Sequence, residues 1–450
     1  MKKNDMIPMR AERLGANLEG ICRHEGMAVF VPGLLPGEEA NVRIVKVEKN
    51  YAFGRMESLL SAPSSDRATP DCAAYPRCGG CTGRHMTYAA TLEAKRMHVQ
   101  DCFLRIGGIH LEVPPVIGMD SPSTYRNKTA LPVGGTPDEP VLGFFAPRSH
   151  HLIPAASCPN ALPPAGAIAE AFQRWMKAFH ITPYIEETHR GMVRHLVIRV
   201  NRQGQAMVTV VINAASLPHA EALWQEIAPL GAASLYINIH QAKSNVIFSD
   251  RFLLLYGAET LSDTLCGLSF RLSPASFFQV NPFQTERLYE TALSFASLSA
   301  DDSLCDVYCG AGTITLMMAQ HCAHAIGIEI VPDAVRNAEE NARRNHIQNA
   351  EFQTGKAEIL LPQMVAKGLR PDVIVVDPPR KGLDADVITA IAQAAPTRLV
   401  YISCNAATQA RDAALLSAHG YSIDQIRAID MFPYTSHVET VCLMSRVGVE

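Results

Sequence analysis

Three short stretches toward the carboxyl end carry residue types that could do covalent chemistry together. Cys404 stands in Tyr401-Ile402-Ser403-Cys404-Asn405, where an apolar run predicted as a strand gives way to a predicted helix over 406–418. A cysteine in such a place can be simply a small buried apolar residue. A thiol just ahead of a helix also has free amides nearby, which are expected to depress its pKa and make it a nucleophile. Asp377 closes another apolar run in Asp377-Pro378-Pro379-Arg380, whose prolines stiffen the loop. Glu439 lies in Ser436-His437-Val438-Glu439-Thr440, at the start of the last predicted strand. It is the candidate general base, with a pKa raised by partial burial. His437 competes for that role because histidine titrates in the right range.

A cofactor loop precedes these groups. Leu304-Cys305-Asp306-Val307-Tyr308-Cys309-Gly310-Ala311-Gly312-Thr313 reads as strand, glycine turn and helix, and Gly310 and Gly312 let backbone approach a ligand. Glu329 ends the next predicted strand, where an acid can accept ribose hydroxyl protons. The third glycine of the dinucleotide fingerprint is missing, so a cofactor without phosphates, S-adenosylmethionine, is favoured over a nicotinamide. A thiolate beside a methyl sulfonium suits carbon 5 of uracil, which is too weak a nucleophile until a thiolate has added at carbon 6. Methylation of an exocyclic amine loses support because Arg380, not an aromatic, follows the paired prolines.

These residues need a scaffold that brings strand ends together. From about 300 onward, predicted strands (303–308, 324–329, 350–354, 372–377, 398–403, 421–429, 438–444) alternate with helices (313–320, 332–345, 384–394, 406–418). That alternation is the signature of a doubly wound, largely parallel α/β sheet, with the last two strands antiparallel across a short connection. Residues 5–60 read as a small all-β barrel punctuated by Gly20, Gly26, Pro32-Gly33 and Pro36-Gly37. The Ser-, Pro- and Ala-rich stretch 61–70 marks a boundary, and the region from about 125 to 260 reads as α+β. The expected division is 1–62, 63–265 and 266–450.

At 450 residues, 48% apolar and 19% charged, the chain is long enough for several ordered domains and excludes a disordered or fibrous class. The net charge of −4 gives no global footprint for nucleic acid. Between Glu187 and Glu221, however, there is no acid, while Arg190, Arg194, Arg199 and Arg202 fall in the interval, as either an RNA contact or a solvated sheet face. Neither a signal peptide nor a membrane-spanning run is visible, so a cytoplasmic protein is expected; a monomer is the expected state. Its twelve cysteines are then unlikely material for disulfides.

Phe277-Phe278-Gln279-Val280-Asn281, Asp306-Val307-Tyr308-Cys309-Gly310, Asp377-Pro378-Pro379-Arg380, Ser403-Cys404-Asn405 and His437-Val438-Glu439-Thr440 resemble, in order and spacing, the RNA uridine-5-methyltransferase family. The resemblance implies a Rossmann-like class I methyltransferase domain, an N-terminal TRAM barrel that is OB-like and RNA-binding, and a central α+β iron–sulfur domain. It also implies cofactor contacts from Gln279, Tyr308, Glu329 and Asp377, a nucleophile Cys404 and a base Glu439. Residues of about 91–123 are expected to pack with the catalytic domain. Cys72, Cys78 and Cys81, with distant Cys158, match the [4Fe–4S] pattern of the branch acting on 23S ribosomal RNA. Structural zinc also takes four cysteines, and spacing leaves it open. The other cysteines (Cys22, Cys102, Cys266, Cys305, Cys309, Cys322 and Cys442) are expected to be packing residues. Transfer RNA as substrate, a cytosine-5 methyltransferase and a non-enzymatic RNA-binding protein are the competing readings.

Overall fold

The computed structural model describes residues 1–447. Strands β1 (Met6–Leu14), β2 (Gly20–His24), β3 (Met27–Val31), β4 (Glu39–Val47) and β5 (Tyr51–Leu59) close into a barrel. Alternation makes it possible: Val29, Val31, Val42, Ile44 and Ala52 point inward and are fully buried, while their neighbours in sequence face out. Gly54 lies inside too, where an added Cβ would stand 2.3 Å from Val42 Cγ1.

A loop carrying Cys72, Cys78 and Cys81 leads to α1 (Tyr88–Arg105), capped by the Thr87 hydroxyl. The middle of the chain is a seven-stranded sheet in the order β12-β11-β10-β9-β6-β7-β8. Its elements are β6 (Lys128–Gly135), β7 (Pro140–Phe145), β8 (Leu152–Pro154), α2 (Ala165–Ala178), β9 (Val193–Val200), β10 (Ala206–Ile212), α3 (Ala220–Ile227), β11 (Ala232–Ile239) and β12 (Phe252–Gly257). A hairpin, β13 (Leu261–Leu265) and β14 (Leu268–Leu272), and α4 (Pro282–Ala296) connect it to the last sheet.

That sheet follows the doubly wound pattern. It contains β15 (Ser303–Val307), β16 (His324–Glu329), β17 (Ala350–Thr354), β18 (Val373–Val376), β19 (Arg398–Ser403), β20 (Tyr421–Ile429) and β21 (Glu439–Arg446), in the order β17-β16-β15-β18-β19-β21-β20. β15 to β19 are parallel, and β21 runs antiparallel to both of its neighbours. Helices α5 (Thr313–Ala319), α6 (Pro332–Arg344), α7 (Ala357–Ala366), α8 (Ala385–Ala394) and α9 (Ala406–Ala418) lie between strands. The strand order reverses at β15, flanked by β16 and β18, which opens a crevice at the carboxyl ends of the strands.

In the catalytic half, two helices escape the periodicity reading. In α7 apolar residues run all round the helix and Pro362 lies within it, so no single apolar stripe marks it. The start of α4 is set by Asn281, whose side chain accepts the Gln284 amide, and by Pro282 at the first position.

Residues far apart in sequence share the core of the last sheet. Val99, Phe103, Val113 and Val116 pack in one cluster with Val307, Val376, Tyr401 and Ala410. Burying Val99 and Phe103 completely stabilises this packing by on the order of 2–3 kcal/mol each. A fully buried ion pair adds specificity: Lys95 Nζ lies 2.5 Å from Asp430 Oδ1, and the Tyr88 hydroxyl donates to the other carboxylate oxygen at 2.7 Å.

The acid-free arginine interval resolves into architecture rather than into an RNA contact or a solvated face. Arg194 and Arg199 are 5% and 3% exposed. Arg194 donates to the carbonyls of His240, Ala242 and Ser244, and Arg202 pairs with Glu286 at 2.9 Å. Only Arg190 of the four faces solvent. Among the described residues no helix is long and apolar enough to cross a membrane.

Candidate active site

Strand register brings the two chemical residues together. Ser403 pairs with Thr440 across β19 and β21, so the next pair in line is Cys404 with Glu439. Residues directly opposite on antiparallel strands have Cα atoms about 4.5–5.5 Å apart. The pair is buttressed from behind: Thr440 Oγ1 donates to Gln409 Oε1 at 2.6 Å and lies 3.1 Å from the Ser403 carbonyl. Cys404 is half-buried and stands outside the packed hydrocarbon clusters, whereas Glu439 is 8% exposed.

Electrostatics extends the site across the strand ends. Burial, followed by the charge of Asp377, pushes the Glu439 carboxyl well above the usual range, and Arg380 opposes this. Asp377 is held at about 7 by burial and by the charge of Asp306. Asp306 itself is fully buried and raised to about 7 by burial, with Glu329 adding to the rise. Its Oδ2 accepts from Thr315 at 2.5 Å, while Oδ1 has no hydrogen-bond partner among the described residues.

The expected depression of the Cys404 pKa is overturned. Burial and the charges of Glu439 and Asp377 push the thiol up, and only Arg380 draws it down. The physical reason is burial of the thiol beside two carboxylates; in addition, the Asn405 side chain accepts the Ala407 amide at 3.1 Å, which occupies one of the helix-end donors. Arg380 is the cation that sequence reasoning left without a task. Its carbonyl accepts from Asn405 Nδ2 at 3.1 Å and from Thr408 at 3.3 Å, which fixes its loop next to Cys404. Partial desolvation of the His437 ring, followed by the charges of Arg380, Lys95 and Arg126, lowers its pKa, although the residue keeps contact with solvent.

The glycine loop stands at the other end of the same edge. Tyr308 adopts φ +74, uncommon for a bulky residue, and its amide donates to the Ile328 carbonyl at 2.9 Å. Gly310 is at φ +57 with open space where a Cβ would be. Glu329 Oε2 accepts the Gly310 amide at 3.1 Å, and Oε1 accepts the Val331 amide at 2.8 Å, so the carboxylate is held at the loop. These features fit S-adenosylmethionine: an open glycine cradle, a carboxylate anchored beside it, and the unpartnered buried oxygen of Asp306.

Gln279 stands in the loop between β14 and α4, and Asn127, just ahead of β6, holds the backbone of that loop. Asn127 donates from its backbone to the Val280 carbonyl at 2.8 Å and from Nδ2 to the Gln279 carbonyl at 2.9 Å. Sequence reasoning missed Asn127, since nothing in the pattern of Tyr125-Arg126-Asn127-Lys128 marks a clamp.

Cys72, Cys78, Cys81 and Cys158 line one cavity of about 330 Å³ with Tyr75, Arg84 and Asn160. Polar hydrogens face the sulfurs: the Gly80 amide lies 3.3 Å from Cys78 Sγ and Asn160 Nδ2 lies 3.4 Å from Cys81 Sγ. Among the described residues no group of three or more His, Cys, Asp or Glu side chains is arranged to hold a metal ion. The four thiols therefore share a chamber without closing into a compact ligand set. Of the cysteines expected to be packing residues, all but Cys266 are buried.

The chain is similar over its whole length to known RNA methyltransferases. Residues 256–447 match the family model described as tRNA (Uracil-5-)-methyltransferase, and residues 9–56 match the TRAM domain. An uncharacterized RNA methyltransferase of Clostridium tetani is 40% identical over 451 residues, spanning 100% of this chain and 98% of that protein. One of Halalkalibacterium halodurans is 40% identical over 448 residues, spanning 99% and 98%. The crystal structure of Pyrococcus abyssi tRNA (uracil-54, C5)-methyltransferase in complex with S-adenosyl-L-homocysteine superposes with a TM-score of 0.77 at 26% identity, covering 98% of this chain and 100% of that one.

Proposed function

This chain belongs to the S-adenosylmethionine-dependent RNA (uracil-5-)-methyltransferases, and we propose that it methylates carbon 5 of a uridine in 23S ribosomal RNA with Cys404 as nucleophile and Glu439 as base. The observation that carries the mechanism is the strand register that sets Cys404 beside Glu439 at the cofactor edge. Arg380 favours the thiolate, which forms a bond to carbon 6 and moves an electron pair into the ring as an enolate. S-adenosylmethionine, when bound, supplies an electrophilic methyl group to carbon 5. Glu439, in its ionised form, then removes the proton from carbon 5; the electron pair restores the ring double bond as the bond to sulfur breaks and the thiolate returns. Gln279, Tyr308, Glu329 and Asp377 would hold the cofactor, and the Asp377 carboxylate would supply negative charge favouring a cationic ligand.

The division 1–62, 63–265 and 266–450 follows as barrel for RNA, cysteine-bearing domain and catalytic domain. The chamber lined by Cys72, Cys78, Cys81 and Cys158 would hold a [4Fe–4S] cluster, because it offers four thiols and N–H donors around a space larger than a single ion needs. These cysteines favour the ribosomal substrate. A transfer RNA substrate is the second reading, favoured by the Pyrococcus abyssi relative. Mapping 5-methyluridine in ribosomal and transfer RNA from cells with and without the gene decides between them: loss of a 23S site is expected, and loss confined to transfer RNA overturns the ribosomal assignment. No loss in either RNA overturns the activity itself.

A further inference from the structure

The connection 430–438 between β20 and β21 leads directly into Glu439, the first residue of β21. Toward β19 the ladder ends at Thr440, so the Glu439 backbone pairs with Ile429 on β20 alone and takes its direction from the residues ahead of it. Distant parts of the chain anchor that connection by its carbonyls. Asn281 Nδ2 donates to the Met431 carbonyl at 3.0 Å and Lys95 Nζ to the Phe432 carbonyl at 3.1 Å. The backbone amides of Thr82 and Gly83 both donate to the Tyr434 carbonyl, at 3.0 and 2.9 Å. Tyr434 itself sits at φ +61, a conformation that a bulky residue keeps only where its surroundings hold it.

Thr82 and Gly83 stand between Cys81 and Arg84, both of which line the cysteine chamber. Arg84 completes the clamp. Its side chain is buried, and its guanidinium carbon lies 4.7 Å from the centre of the Tyr434 ring, a cation–π distance. Its two terminal nitrogens donate to the Asp71 carboxylate and to the Asn160 side-chain carbonyl, and Asn160 Nδ2 faces Cys81 Sγ. One planar group therefore joins the start of the cysteine loop, the segment between β8 and α2, and the connection ahead of Glu439. A guanidinium suits this place, because its donors lie in the plane and leave the face for a ring.

Packing alone would be served by an apolar side chain, without the cost of taking a charge out of water. The ring that this charge faces belongs to the stretch whose next strand begins with the base. We propose that Arg84 is a positioning residue for Glu439: its guanidinium pins the Tyr434 ring to the wall of the cysteine chamber and so fixes the connection from which the carboxylate reaches carbon 5. The inference rests on Glu439 as the base. Loosening the pin leaves thiolate addition and methyl transfer in place and slows removal of the carbon 5 proton, so the bond between the Cys404 sulfur and carbon 6 persists.

The test uses the full chain, S-adenosylmethionine and total RNA from cells lacking the gene. Arg84→Met fills similar space without the cation and is expected to lower the maximal rate by up to about a hundredfold, the scale of a small misplacement of a reacting group. The RNA concentration at half-maximal rate and the affinity for S-adenosylhomocysteine stay within about twofold, since neither depends on proton removal. A covalent protein–RNA adduct accumulates on a denaturing gel, which a general loss of folding would not produce. Hydrogen exchange quickens in 430–438 and not in β15 or β19. Arg84→Lys, which keeps a cation for the ring, recovers most of the rate. Tyr434→Leu removes the ring, leaves the Thr82 and Gly83 amides their carbonyl, and is expected to behave as Arg84→Met does; it carries the test if Arg84→Met fails to fold. Parental rates in the folded variants, equal losses in Arg84→Lys and Arg84→Met, or exchange that quickens throughout the chain would overturn the positioning role. So would a lost rate without adduct where Glu439→Gln, run alongside, traps one. No adduct in Glu439→Gln refutes the base itself, and the pin is then judged by the exchange of 430–438 alone.

Discussion

Replacing Asp377 with asparagine keeps the shape of the side chain and deletes a charge that the fold holds at some cost. In the cofactor-free protein this carboxyl is held at about 7, against an ordinary 3.8, first by burial and then by the charge of Asp306. As pH rises from about 4 to about 7, the unfolded chain gives up this proton before the folded one does, so stability falls across that window. At about 1.4 kcal/mol per unit, the ceiling on the loss is roughly 4 kcal/mol. Residual solvent contact screens part of it, so about 2 kcal/mol is the working expectation. Asp377→Asn escapes the penalty. It should therefore melt several degrees above the parent near pH 8, at about 2–4 °C per kcal/mol, with the gap closing toward pH 4. The same variant should bind S-adenosylmethionine at least about tenfold more weakly, and S-adenosylhomocysteine, which lacks the sulfonium, less affected. Thermal melts across that pH range and calorimetric titration with both ligands provide the readout. Coincident melting near pH 8, or a gap that narrows as pH rises, would refute the reasoning.

Cys404→Ala should abolish methyl transfer while S-adenosylhomocysteine binding stays within about twofold, since the thiol is needed for covalent addition and not for the cofactor. Measurable turnover by that variant, in a labelled-methyl assay, removes the covalent route. Glu439→Gln should allow addition and methylation but stall before elimination, leaving a protein–RNA species that survives a denaturing gel; turnover at the parental rate excludes Glu439 as the base. Lys95→Met leaves Asp430 buried without its cation and should cost about 3–5 kcal/mol, seen as an early loss of structure in denaturant. An unchanged midpoint would show that the Tyr88 hydroxyl suffices.

Much of the catalytic half could be read from local pattern alone. Strand ends repeat the same solution: an apolar run is followed by a polar residue at the carboxyl edge, and Glu329, Asp377 and Cys404 all occupy such places. Period and turn chemistry act over a few residues, so the strands β15 to β21, most of the helices between them, the barrel and the antiparallel final pair were legible. Four decisions belonged to the tertiary structure, because each depends on groups distant in the chain. The Cys404 pKa rises because two carboxylates and burial outweigh a helix end already capped by Asn405. Arg194 and Arg199 are structural because a loop some fifty residues on and the Ser276 carbonyl claim their guanidinium groups. Asn127 holds the Gln279 loop through a contact 152 residues apart in sequence. Arg84 meets the Tyr434 ring only because the folded chain carries the cysteine loop there. Periodicity reports which face of an element is buried; charge, burial and hydrogen-bond partners are summed in three dimensions, over neighbours that no local window contains.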